Sequence, residues 1–179
     1  LQYGDKKQPL KTISEEESLT EAKLSNAIET AKTDRTLTAY FLQGHGENAI
    51  KESQGGLVQA VNSLEAKGYQ VEPLNLVERT TIPNNADVII IAGPKRKIFP
   101  QEVTGLKNYL EQGGKILLLI DPQTETGLEP LLTPWGVKLD NRIIIDASGA
   151  GEIIGLGPAS PIITNYGNHP ITRDFANGI

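Results

Sequence analysis

The sequence predicts an α/β fold: a doubly wound, mostly parallel sheet, preceded by an N-terminal hairpin and helix. Three observations predict it. Val88 to Ile91 and Lys115 to Ile120 are continuously apolar runs, the pattern of strands buried on both faces. Val103, Leu106 and Leu110 recur between them at helical spacing, which implies parallel pairing through a right-handed crossover. Both runs stop abruptly at a Pro-containing polar turn, Gly93-Pro94 and Asp121-Pro122, so loops gather at the carboxyl ends of the strands.

The elements follow in order. Leu1 to Leu10 reads as a short hairpin turning at Gly4-Asp5. Ser14 to Ser18 is an acidic connector. Ser18 and Glu21 fit a capping box, and Leu24, Ala27, Ile28 and Ala31 continue as an amphipathic helix ending near Lys32. Thr33-Asp34-Arg35 is the junction to the main domain, giving an appendage over 1–35 and an α/β domain over 36–179. Leu37 to Leu42 is a strand. Leu57, Val58, Val61 and Leu64 mark a helix stopped by Gly68. Tyr69 to Leu76 alternates, as an exposed strand does. After the helix stopped by Gly113 and the strand from Lys115, Thr126 and Glu129 suggest a second capping box. Leu128, Leu131, Leu132 and Trp135 share a helical face, with Trp135 as its anchor, and Gly136 ends the turn. Arg142 to Asp146 reads as a further strand. The total is about five strands in a flavodoxin-like layout. The Gly- and Pro-rich tail beyond Ala147 carries little pattern.

Composition narrows the function. The chain has 179 residues, 38% hydrophobic and 22% charged, which is a folded rather than a disordered profile. A net charge of −5 argues against a nucleic-acid partner. No apolar run approaches the ~20 residues that span a bilayer, and no signal peptide is visible. Absence of cysteine removes a disulfide framework, a thiol nucleophile and a cysteine metal site. Methionine is also absent and the chain opens at Leu1, so a piece of a longer product is expected, with any membrane anchor outside it.

Three strand-end loops hold the candidate chemistry. Gln43-Gly44-His45-Gly46-Glu47 places His45 beside Glu47, either as an acid–base pair or as a tight turn with capping polar groups. Its G-x-G lacks the third glycine of a dinucleotide fingerprint, and no phosphate loop occurs, so no cofactor is implied. Gly93-Pro94-Lys95-Arg96-Lys97 offers three cations to a carboxylate, a phosphate or an acidic partner, or else balances local charge as a solvated loop. Asp121 is a ligand-binding carboxylate or a turn cap, with capping favoured, and Asp146 carries the same ambiguity. His45 and His169 stand too far apart in sequence to support a zinc site, so no metal is expected.

An ordered series of these segments resembles the GldG-type family, auxiliary components of uncharacterised ABC transport systems, some linked to gliding motility. The series is Ser18 to Ile28, Tyr40 to Glu47, Gly93-Pro94-x-Arg96 with Phe99, Tyr109-Leu110-x-x-Gly113-Gly114, and Leu117 to Pro122. Leu131 to Val137 with Asp146, and His169-Pro170-Ile171-Thr172, add to it. The resemblance implies an extracytoplasmic (periplasmic) domain of a cytoplasmic-membrane protein, tethered by membrane helices outside this chain. Its fold is similar to flavodoxin-like and glutamine-amidotransferase-like proteins, but the amidotransferase nucleophile is a cysteine and this chain has none. The implied partners are permease and ATPase subunits, other extracytoplasmic subunits, or a small-molecule or glycan ligand. A non-catalytic binding domain is thus expected, with Gly44, His45, Glu47, Gly93, Lys95, Arg96 and Asp121 as the binding residues. The alternative is a hydrolase or amidase-like enzyme using His45, Glu47 and Asp121.

Overall fold

A computed structural model describes residues 2–3, 6–7, 21–32, 35–147, 149, 151, 155–163, 165–170 and 172–173. The chain divides into two compact units, Leu1–Leu139 and Asp140–Ile179.

In the first unit, β1 (Gln2–Tyr3) and β2 (Lys6–Lys7) pair antiparallel, forming the expected hairpin. Helix α1 spans Glu21–Lys32. The Gly4-Asp5 turn, the connector through Ser18 and the Thr33-Asp34 junction lie outside the described residues. The main elements are β3 (Leu37–Leu42), α2 (Val58–Ala66), β4 (Tyr69–Leu74), β5 (Ala86–Ala92), α3 (Pro100–Glu111), β6 (Ile116–Leu119) and α4 (Glu129–Leu132), closed by a 3-10 turn over Thr133–Trp135. The sheet is all parallel in the order β4-β3-β5-β6. The chain moves outward from β3 to β4, then returns past β3 to build β5 and β6. This is the doubly wound, flavodoxin-like arrangement, and it puts the switch point between β3 and β5. Among the described residues the main sheet has four strands rather than about five.

Strand side chains alternate between two layers. Tyr40, Leu42, Ile89 and Ile91 meet Val103 and Leu106 of α3 and Leu131 and Leu132 of α4. Ala39, Phe41, Ile90 and Ala92 meet Leu57, Val61 and Leu64 beside and along α2. Two covered faces explain why β5 reads as an unbroken apolar run. Each fully buried aliphatic side chain contributes about 1.5–3 kcal/mol.

The same logic corrects the reading of β6. Ile116 and Leu118 pack on the α3 layer, but Leu117 and Leu119 are each 48% exposed. β6 closes the sheet at one edge, and its second face lies one strand beyond the residues that α2 covers. Trp135 does not anchor its turn either: it is 69% exposed. The buried stripe ends at Leu132, and the tighter 3-10 winding carries Trp135 about 6 Å further along the axis. The second capping box is also absent. Gly127 holds a left-handed φ of 71°, so α4 starts only at Glu129, and Thr126 Oγ1 accepts from the Leu128 N–H at 3.3 Å instead.

In the second unit, Arg142 to Asp146 forms no strand, and Ile143, Ile144 and Ile145 are exposed. Two of its backbone N–H groups find local partners. Asp140 accepts from the Arg142 N–H at 3.0 Å, and the Asp146 N–H donates to the Pro158 carbonyl at 2.8 Å. Such side-chain and loop bonds compete with a sheet ladder.

Candidate functional site at the switch-point loops

The loops after β3 and β5 are stitched together at the carboxyl ends of their strands. The Asn48 N–H donates to the Ala92 carbonyl at 2.9 Å. The carbonyl of His45 accepts from both the Lys95 and Arg96 N–H groups, at 2.9 and 3.0 Å. The Arg96 guanidinium donates to the Gly44 carbonyl at 3.0 Å. This close approach requires glycine. A Cβ on Gly46 would sit 3.1 Å from Lys95 Cβ, and one on Gly93 would meet the Asn48 amide at 3.2 Å. Both glycines also have positive φ, 80° and 63°, which other residues adopt only with strain.

His45 faces inward and is 2% exposed. Its Nε2 lies 2.8 Å from Glu102 Oε2, with both side chains buried. Close as this approach is, Nε2 has no hydrogen bond of acceptable geometry among the described residues. Glu102 Oε2 accepts instead from the Phe99 N–H at 3.0 Å, capping the start of α3. The Phe99 ring meets the imidazole edge-on, with centroids 5.1 Å apart and planes at 80°. The expected imidazole–carboxylate pair of His45 with Glu47 does not form: Glu47 Oε2 accepts from the His45 backbone N–H at 2.7 Å, which is the turn-capping alternative. Glu47 Oε1 and Glu102 Oε1 are buried without a hydrogen-bond partner among the described residues.

The three cations separate. Lys95 Nζ reaches Asp121 Oδ2 at 2.6 Å, so Asp121 forms an ion pair where a turn cap was favoured. Lys97 Nζ meets Glu125 Oε2 at 2.8 Å. The Glu125 side chain holds the Lys97 ammonium above its ordinary pKa by hydrogen bond and charge, and its own carboxyl is lowered by the same contact. Both ion pairs are solvent-exposed and contribute little to stability. Arg96 alone of the three has no carboxylate partner among the described residues.

Gly44, His45, Glu47, Gly93, Lys95 and Arg96 therefore converge on the switch-point rim, and Asp121 joins it through Lys95. Asn48 and Glu102 are also central to the rim without standing out in the sequence, and Phe99 stands out there only through the family series. Glu102 carried one usable signal: it stands at the third helical position, Pro100 being the first, where a carboxylate reaches back to the N-cap N–H. Among the described residues, no group of three His, Cys, Asp or Glu side chains is arranged to hold a metal ion.

Winding and rim together define an α/β domain of flavodoxin-like layout that presents its switch-point loops as an exposed platform around a buried His–Glu contact. Residues 37–177 match the model of a family described as an ABC-type uncharacterized transport system, and the chain belongs to that family of transport-system auxiliary components. No curated protein and no solved structure gives a significant match. No helix among the described residues is long and apolar enough to cross a membrane.

Proposed function

We propose that this is a non-catalytic, extracytoplasmic recognition domain of an auxiliary protein of GldG type, which docks the switch-point rim onto another subunit of its ABC transporter. The observation that carries the reading is the pairing of Arg96 and Phe99 on one loop. Arg96 contacts Gly44 yet keeps a guanidinium without a carboxylate among the described residues, and Phe99 rests against His45 while 55% exposed. Arginine and aromatic side chains held on a rigid base are the composition of interface hot spots. The partner is an acidic patch beside an apolar pocket on the permease or another extracytoplasmic subunit, with the ATPase as a separate polypeptide and the membrane anchor outside these residues. Burial of His45 against Glu102 weighs against the hydrolase alternative, because its imidazole is not presented to a substrate.

The test is binding of the domain to purified extracytoplasmic segments of the other transporter subunits. Arg96→Ala with Phe99→Ala should weaken binding at least about tenfold. Undiminished binding by the double variant sinks the rim as the docking surface. Compartment is tested separately. In intact cells, a Glu65→Cys substitution should add maleimide labelling by a membrane-impermeant reagent over that of the parent protein, and protection until lysis would place the domain in the cytoplasm.

A further inference from the structure

A second cleft lies at the opposite end of the sheet, where the strands begin. It has a volume of about 520 Å³ and is bounded by the start of β5, the segment before it and the C-terminal end of α3. That size falls within the ~300–1,000 Å³ of small-molecule sites.

Its wall is preorganised. The Tyr109 ring lies directly over Gly114, where a Cβ would come within 2.4 Å of it, and the Tyr109 hydroxyl donates to the Ala86 carbonyl at 3.2 Å. The charged groups at the cleft largely neutralise one another. The Arg35 guanidinium donates through both terminal nitrogens to Asp87, whose Oδ2 also accepts from the Thr38 N–H at 2.8 Å. What remains is a set of neutral polar side chains. Thr80, Thr81, Asn84, Asn108 and Gln112 all line the cleft, and none of these side chains has a hydrogen-bond partner among the described residues.

This chemistry selects a ligand class. A phosphate or polyanion needs clustered free cations, and Lys115 alone is not such a cluster. An apolar ligand needs an apolar lining, which Ile82 and Pro83 supply only in small part. Amides and hydroxyls each donate and accept, as the hydroxyls of a sugar do. We propose that the cleft binds a neutral oligosaccharide, with Asn84, Asn108 and Gln112 reading its hydroxyls against the fixed Tyr109 wall. The site is separate from the docking rim and does not depend on it.

The experiment titrates the isotope-labelled 179-residue protein with maltotriose, cellotriose and N,N′-diacetylchitobiose, following backbone and side-chain amide resonances. The expected result is saturable, fast-exchange shifts of Asn84, Asn108 and Gln112 with at least one saccharide, at roughly millimolar affinity. Asn108→Ala with Gln112→Ala should weaken binding about tenfold while leaving the thermal midpoint in place, since both side chains are exposed. Three results would overturn the proposal: no shifts at roughly 10 mM of any saccharide, shifts that persist in the double variant, or shifts centred on residues 44–47.

Discussion

His45 and Glu102 meet at 2.8 Å inside the protein, one from the loop after β3 and the other from the first turn of α3. The contact ties together three pieces of the rim. Through its backbone carbonyl His45 holds Lys95 and Arg96, and through its carboxylate Glu102 holds the Phe99 N–H. A buried pair of this kind sets where Arg96 and Phe99 stand, so its role is positional.

Removing one partner should therefore destabilise the domain and loosen the rim together. Glu102→Ala leaves both the His45 imidazole and the Phe99 N–H without their carboxylate. A buried group stranded in this way costs about 1–3 kcal/mol. Glu102→Gln keeps an acceptor for Phe99 and should cost less. Urea denaturation gives the energies, and amide exchange at Lys95 and Arg96 reports the loosening. Equal stability of wild type and Glu102→Ala would show that the contact contributes nothing.

The two faces of the sheet give a sharper contrast. Ile91 is fully buried in β5, whereas Leu119 is the register partner of Ala92 on β6 and is half exposed. Ile91→Ala should cost about 2–5 kcal/mol through lost burial and the cavity left behind. Leu119→Ser should change stability by no more than about 0.5 kcal/mol, as expected of an exposed position. Chemical denaturation of both variants checks the pair. A large loss for Leu119→Ser would mean that its face is covered.

These two positions also show where the sequence was legible. Ile89 to Ile91 and Leu117 to Leu119 are equally apolar, and local pattern reports only that a strand tolerates burial on both sides. Whether a helix covers the second face depends on strand order, which puts β6 at the edge. The helix stops were readable because Gly68 and Gly113 do hold positive φ, 85° and 88°, at the ends of α2 and α3. Arg142 to Asp146 misled because β propensity needs a neighbouring strand to be realised, while Asp140 and Pro158 offered nearer partners. At the site, strand-end position located Gly44, Gly93 and Arg96. Partner choice was not legible: His45 stands next to Glu47 in sequence but meets Glu102, 57 residues away, only after the crossover is wound.

Two glycines of the α3 region should respond oppositely to alanine. Gly105 lies inside α3, and an added Cβ meets nothing within 4 Å. Gly105→Ala should stabilise by about 0.5–1 kcal/mol through helix propensity. At Gly114 the same Cβ would strike the Tyr109 ring at 2.4 Å. Overpacking there should cost about 1–3 kcal/mol and displace the Tyr109 hydroxyl from Ala86. Thermal melts of the two variants should move in opposite directions, and Tyr109 fluorescence should change only for Gly114→Ala. A melt of Gly114→Ala at or above the wild-type midpoint would contradict this packing.

Acid should destabilise the first unit in part through Asp87. The Arg35 guanidinium, hydrogen-bonded to this carboxylate, is the largest influence lowering its pKa, and the Thr38 N–H and the Arg35 charge add to it against the opposing effect of burial. A carboxyl whose folded pKa is depressed stabilises the fold above its unfolded value, near 3.9, and loses that contribution as pH falls through the folded value. Wild type should therefore lose stability below about pH 4 more steeply than Asp87→Asn, and the two curves should converge in strong acid. Asp87→Ala also removes the acceptor for Thr38 and should cost about 1–2 kcal/mol at neutral pH, allowing for partial exposure. Urea midpoints measured from neutral pH down to strong acid decide the matter. If Asp87→Asn and wild type run parallel throughout, the Arg35–Asp87 pair carries no proton linkage and anchors the start of β3 by geometry alone.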